Sequence, residues 1–236
     1  MSKILAIAGR EMRSYFASPL AFIVAAVFMV IVGYLFALIA YHTRQANFGP
    51  WFSNMAVVLL LVIPALTMRL IADERRTGTI ELLMTSPIHD RDLVLGKFLA
   101  SAFYLLFLMT LTIVCPLILA TSTKLDWATL WSSYLGAYLL GCSFMAVGVF
   151  ASSLTANVIV AAMLTFAITL VLWLLPSAGQ MFGGTAADVM QYLSVMQHQE
   201  NMGRGVLDTS DLVFYISFIA AWLFMAIRSV ETYHWR

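Results

Sequence analysis

Six long apolar runs constrain this chain more than any other feature. They cover about residues 20–41, 54–72, 98–120, 130–153, 156–176 and 211–230. Each is close to the ~20 residues that cross ~30 Å of hydrocarbon at 1.5 Å per residue. Backbone amides cannot be left unpaired in lipid, so every run must be helical. The expected fold is therefore all-α, a polytopic membrane protein with a single transmembrane domain over residues 1–236. Composition agrees. Of 236 residues, 62% are hydrophobic and 11% charged, with a mean hydropathy of +0.91. A soluble domain carries about 25% charged residues. The polar gaps, Asp73 to Leu93 and Ser177 to Asp211, leave no room for a separate soluble domain. The first run exceeds the ~7–15 residues of a signal-peptide core, and no Ala-x-Ala pattern follows it.

Net charge is only +1, but its placement is informative. One set of flanks holds ten Lys and Arg residues, at positions 3, 10, 13, 69, 75, 76, 91, 97, 228 and 236. The other holds three: Arg44, Lys124 and Arg204. The positive-inside rule then puts both termini and the 73–97 loop in the cytoplasm. Trp51, Trp127, Trp131 and Trp173 fall at the opposite boundary, as an aromatic belt would. Nothing in the pattern calls for a nucleic-acid partner. Membrane lipid is the expected surroundings.

Residues 2–18 read as a helix lying on the membrane. Ile4, Leu5, Ala8, Met12, Tyr15 and Phe16 share one face, with Lys3, Arg10 and Arg13 opposed. Ser133, Ala137, Gly141 and Gly148 form a small-residue ridge on the fourth run, fit for close helix packing within the subunit or across a dimer. Ser152 to Asn157 make a turn too short for anything but antiparallel neighbours. Pro64 and Pro116 should kink their helices. Cys115 and Cys142 read as core, with no disulfide or metal framework. In the 177–210 segment, Val189, Leu193 and Met196 suggest a short surface helix, and Asp208 or Ser210 a cap for the last run. His198 and Glu200, near Arg204, are candidate residues for a membrane-embedded enzyme, although a solvated polar face is the more ordinary explanation. No His-x-x-x-His pair supports a metal site. The runs carry almost no ionisable residue at mid-depth, which argues against an ion-driven carrier.

The stretch from Glu74 to Pro87 stands apart: Glu-Arg-Arg-Thr-Gly-Thr-Ile-Glu-Leu-Leu-Met-Thr-Ser-Pro. Gly78 should break the preceding helix. Glu81 can open a new one, with its carboxylate near free amides. Ile80, Leu83 and Met84 would share a face, and Pro87 would end the unit. The stretch resembles the signature of ABC-2 type ABC transporter permeases, at the family's position between the second and third spans. Arg10-Glu11-x-Arg13-Ser14-Tyr15-Phe16-x-Ser18-Pro19 is similar to that family's interfacial helix. Ser152-Ser153-Leu154-Thr155-x-Asn157 is similar to its turn between spans four and five. The tail, from Tyr192-Leu193-Ser194 through Arg204-Gly205-Val206 to Arg228-Ser229-Val230-Glu231, is nearest the gliding-motility (GldF-like) subfamily. One departure is that aromatic residues would be expected where Gln199 and Met202 stand.

The resemblance implies a permease subunit in a bacterial cytoplasmic (inner) membrane, for export or mechanical transmission. It implies that 74–87 is a coupling helix, with Glu74, Arg75, Gly78, Thr79, Glu81 and Leu83 meeting an ATPase subunit. Arg10, Glu11 and Arg13 would serve the interfacial helix. ATP and Mg would be bound by the partner ATPase, with no cofactor on this chain. A second permease, identical or related, is implied, and an auxiliary membrane subunit is compatible with the subfamily. The chain itself lacks a P-loop: Gly96-Lys97 is the nearest match, but Arg91 and Phe98 occupy the required Gly and Ser/Thr places. The remaining alternatives are the enzyme above and a membrane anchor that recruits an ATPase without moving cargo.

Overall fold

The structure is a computed structural model that describes residues 3–43, 48–79, 89–121, 125–182 and 189–232. It is 89% helical, without strands among the described residues, and has six helices long and apolar enough to span a membrane. The chain is thus an all-α, multi-pass membrane protein. Helix α1 (Lys3–Ala17) precedes the first span, α2 (Pro19–Thr43). The second comprises α3 (Gly49–Thr67) and, after a turn, the short α4 (Ala72–Arg76). The third is α5 (Asp90–Thr112) continued by α6 (Val114–Ala120). Then come α7 (Trp127–Leu154) and α8 (Val158–Phe182). Helix α9 (Val195–Gly203) leads to the last span, α10 (Thr209–Glu231).

Burial ranks these helices. The most apolar windows of α3 and α7 are 72% and 78% buried, those of α2 and α8 only 11% and 17%. Helix α7 is the central post, packed by α3, α5, α8, α9 and α10. The small-residue ridge is what lets them close in. A Cβ on Gly141 would lie 2.5 Å from Leu105 Cδ2 of α5, and one on Gly148 would lie 2.2 Å from Thr67 Oγ1 of α3. Among the described residues, then, the ridge serves packing within the chain. The outward faces of α2 and α8 stay apolar: Phe22, Ile23, Val30, Ile159 and Met163 are all exposed, as suits a lipid solvent.

Several expected boundaries move. The third span begins at Asp90 rather than near 98, because Asp90 and Asp92 sit in a first turn where carboxylates are favoured. Pro116 cannot donate to the Thr112 carbonyl, and the helix breaks at Ile113. The fifth span runs through Pro176 to Phe182 instead of stopping at 176. Asp126 caps α7 from the amides of Ala128 and Thr129, and Asp208 caps α10 from Ser210 N. The Thr129 hydroxyl first, then the Thr129 amide, holds the Asp126 carboxyl below its ordinary value. Asn157 caps α8 through the amides of Ile159 and Val160, so the 152–157 turn does join antiparallel neighbours.

Trp51 is not a belt residue. It is buried, its indole N–H donates to the Val32 carbonyl at 3.1 Å, and Phe36, Phe52 and Tyr134 surround it. Trp127 and Trp131 are exposed, as expected.

Gly148→Ala should destabilise the protein by about 1–3 kcal/mol through overpacking against Thr67. Gly33→Ala on α2, with open space around it, should be neutral or slightly stabilising. Thermal unfolding in detergent separates the two; equal melting temperatures would contradict this packing.

Candidate functional site

The charged end of the bundle is built by α1, α4 and α5. Helix α1 does not merely float on the surface. Its packed face is Ile4, Ile7, Ala8, Glu11, Met12 and Tyr15, while Leu5 and Phe16, expected on that face, are exposed. The reason is Gly96 on α5, where a Cβ would lie 2.7 Å from Ile7 Cγ2. The missing side chain lets α1 dock on α5, and docking turns Glu11 inward. From sequence, Gly96-Lys97 is a failed phosphate loop and Lys97 one of the ten flanking charges. The pair instead provides a contact and a charge.

Lys97 is almost completely buried in this contact. Its Nζ lies 2.7 Å from Glu11 Oε1 and 2.8 Å from Glu74 Oε1. Arg10 reaches the same Glu74 oxygen at 3.5 Å. One ammonium thus fastens α1, α4 and α5 together. In a low-dielectric setting each ion's desolvation is costly, and only close opposite charge offsets it. Tyr15 adds a second fastening. It stacks on Tyr104 with ring centroids 5.0 Å apart, and its hydroxyl donates to the Leu66 carbonyl at 3.1 Å. That carbonyl belongs to the last turn of α3, where intrahelical donors run out. Burial, then Glu11, then Tyr104 push the Tyr15 phenol above its ordinary value.

Helix α4 is only five residues long and is held at both ends. Its N-cap, Ile71, has no side-chain oxygen. Ser152 of α7 substitutes: its Oγ accepts from the amides of Ile71 and Ala72, each at 3.0 Å, and donates to the Met68 carbonyl at 3.3 Å. At the other end, Gly78 takes a positive φ of 71°. The Thr77 hydroxyl donates to Asp73 O at 2.9 Å and the Thr79 hydroxyl to Glu74 O at 3.3 Å. The Thr-Gly-Thr sequence is therefore a helix stop: glycine supplies the left-handed turn and the hydroxyls serve orphan carbonyls.

A family model described as ABC-2 family transporter protein matches residues 5–220. The chain belongs to this family. No curated protein matches it. Permeases of this family are the transmembrane component of an ABC transporter, are not themselves catalytic, and typically work with a nucleotide-binding ATPase subunit.

Of the residues expected for coupling in this permease, Glu74, Arg75, Gly78 and Thr79 lie together on and just after α4, with Arg75 half-buried. Glu81 and Leu83 lie outside the described residues, as does most of the 74–87 stretch. On α1, Arg10 and Glu11 join the cluster, whereas Arg13 is exposed. Lys97 and Ser152 were missed. Lys97 was read as a loop charge, although a carboxylate on the inner face of an amphipathic helix signals a buried cation. Ser152 was read only as part of the 152–157 turn, because the groups it holds are about 80 residues away.

The opposite end corrects two expectations. Residues 189–192 do form a short helical turn, with Val189 and Leu193 exposed, but the longer helix is α9, packed through Val195, His198, Gln199 and Met202. His198 is neither solvated nor poised for chemistry. Its Nδ1 faces Asp211 Oδ1 at 2.5 Å, its Nε2 faces the Tyr192 carbonyl at 3.0 Å, and Phe214 stacks on the ring at 4.0 Å. Both nitrogens are engaged, and Glu200 is exposed, apart from this pair. The two residues do not form an acid–base site. They leave a structural clamp that ties α9 to α10. Where aromatics were expected, Gln199 donates to Phe52 O at 3.2 Å and Met202 fills the space over Gly136.

Lys97→Met should cost about 3–5 kcal/mol, because it strands two largely buried carboxylates. Adding Glu11→Gln and Glu74→Gln should recover much of that loss. Unfolding in detergent measures both, and an additive triple variant would argue against a shared cluster. At the far end, His198→Phe should also cost about 3–5 kcal/mol by leaving Asp211 buried without its partner. Asp211→Asn in the same background should restore part of it. Unchanged melting of His198→Phe would remove the clamp from this account.

Proposed function

We propose that the chain couples ATP hydrolysis on a separate ATPase subunit to export, or to mechanical transmission, across a bacterial inner membrane. The observation that carries this reading is the buried Lys97, which ties the base of the 74–87 stretch to α1 and to the third span. An ATPase pressing on that stretch would act on three helices at once. In this reading residues 74–87 form the coupling helix, and Glu74, Arg75, Gly78, Thr79, Glu81 and Leu83 meet the ATPase. ATP and Mg stay on that partner. Both termini face the cytoplasm, supported by the ten-to-three division of Lys and Arg between the two sets of flanks.

The chain supplies half of a pathway over one transmembrane domain, residues 1–236. The nearly unburied α2 and α8 suit it to a second permease, identical or related. Likeness of the tail to the gliding-motility subfamily favours a related auxiliary membrane subunit in the same assembly. Among the described residues the spans hold their ionisable groups at the ends, which suits an apolar or amphipathic cargo, or force without cargo, better than an ion-coupled carrier.

Glu81→Arg should abolish transport-linked ATP turnover while membrane insertion stays intact. The check is ATPase co-purification, plus turnover and vesicle transport of the reconstituted complex. Wild-type coupled turnover in Glu81→Arg would rule out the assignment of the coupling helix.

A further inference from the structure

Beside the Lys97 cluster lies a cavity of about 280 Å³, walled by α1, the start of α2, the turn between α3 and α4, and α5. Small-molecule sites begin near ~300 Å³, so the space suits a headgroup and not acyl chains. Its lining divides by chemistry. Leu20, Ala21, Ala65 and Leu66 come from the apolar ends of the spans, where hydrocarbon begins. Ser14, Ser18 and the charged groups come from the aqueous side.

Two groups in this cavity have hydrogen-bonding capacity that no described residue meets. Glu74 Oε1 is taken by Lys97 and Arg10, but its Oε2 is buried with no hydrogen-bond partner among the described residues. Arg69, exposed on the same lining, makes no ion pair or hydrogen bond among the described residues. A carboxylate oxygen needs an N–H or O–H donor, and a guanidinium best takes a phosphate or carboxylate. Both demands sit at the edge of the apolar slab, within one small space.

We infer that this cavity binds the zwitterionic headgroup of an aminophospholipid, phosphate on Arg69 and primary ammonium on Glu74 Oε2. The acyl chains lie along the exposed ends of the neighbouring spans. An ammonium that keeps at least one N–H is required, because a quaternary one has none to donate to the carboxylate. A lipid there would brace α1 against α4 from the membrane side, making the charged end sensitive to lipid composition. The site is independent of ATP coupling: it requires only the chain and a bilayer.

The test uses the full chain in nanodiscs of phosphatidylethanolamine, its mono- and dimethyl derivatives, phosphatidylcholine or phosphatidylglycerol. Native mass spectrometry after gentle extraction counts retained lipid. One phosphatidylethanolamine per chain should be retained about tenfold better than phosphatidylcholine or phosphatidylglycerol, the scale of one charge-assisted hydrogen bond. Retention should fall at full methylation, when the last N–H is lost. Arg69→Gln, exposed and so expected to fold, should lose a similar factor, with its melting temperature as the folding check. Equal retention of phosphatidylethanolamine and phosphatidylcholine would overturn the proposal, as would Arg69→Gln retaining lipid like the parent. If soluble glycerophosphoethanolamine displaces the lipid at equal concentration, a soluble headgroup is the ligand and the lipid assignment falls.

Discussion

A lysine ammonium removed from water between two glutamates is the constraint on which the charged end of this permease depends. Lys97 can be buried only where Glu11 and Glu74 arrive together. That requirement fixes the rotation of α1, the position of α4 and the register of α5 in one step. Gly96, immediately before it, makes the approach possible by having no side chain. Charge and close contact thus occupy adjacent positions on one helix, and neither works without the other.

From this base, contacts lead inward without a gap. Ser152 holds α4 against the end of α7. Thr67 sits against Gly148, so the end of α3 is seated on α7 as well. Leu105 of α5 fills the notch at Gly141. Helices α3, α4 and α5 therefore all bear on the most buried helix, which also contacts α9 and α10, and α1 reaches it by way of α5. At the far end His198 and Asp211 clamp α9 to α10, and Ser132 of α7 donates to the Met202 carbonyl. A displacement of α4 meets packed side chains along the whole path, and close-packed interiors transmit such strain rather than absorb it.

Much of this was legible in the sequence, for identifiable reasons. Hydropathy over ~20 residues locates spans well, since lipid imposes helix and length together. Gly78 announced the end of α4 because only a left-handed turn needs it there, and Asp208 announced a cap. The misses share a different cause. Leu5 and Phe16 were placed on the docked face of α1 because periodicity finds an apolar stripe but not what it faces. Lys97 and His198 were taken for solvated charges because their partners, Glu11 and Asp211, are brought near only by the fold. Trp51 was placed in a belt by its depth in the chain, while a single carbonyl, Val32 O, makes its burial affordable. What failed was long-range pairing, which no local pattern encodes.

If Lys97 joins α1 and α4 as described, the two helices should move as one body when the proposed ATPase partner binds nucleotide. Spin labels at Arg13 and Arg76, both exposed, in a background without Cys115 and Cys142, report that distance by pulsed electron resonance. The assembled complex should give the same narrow distance with and without ATP, and Lys97→Met should broaden it. A nucleotide-dependent change in the Arg13–Arg76 distance with Lys97 intact would contradict the claim that this lysine binds the two helices into a single moving part.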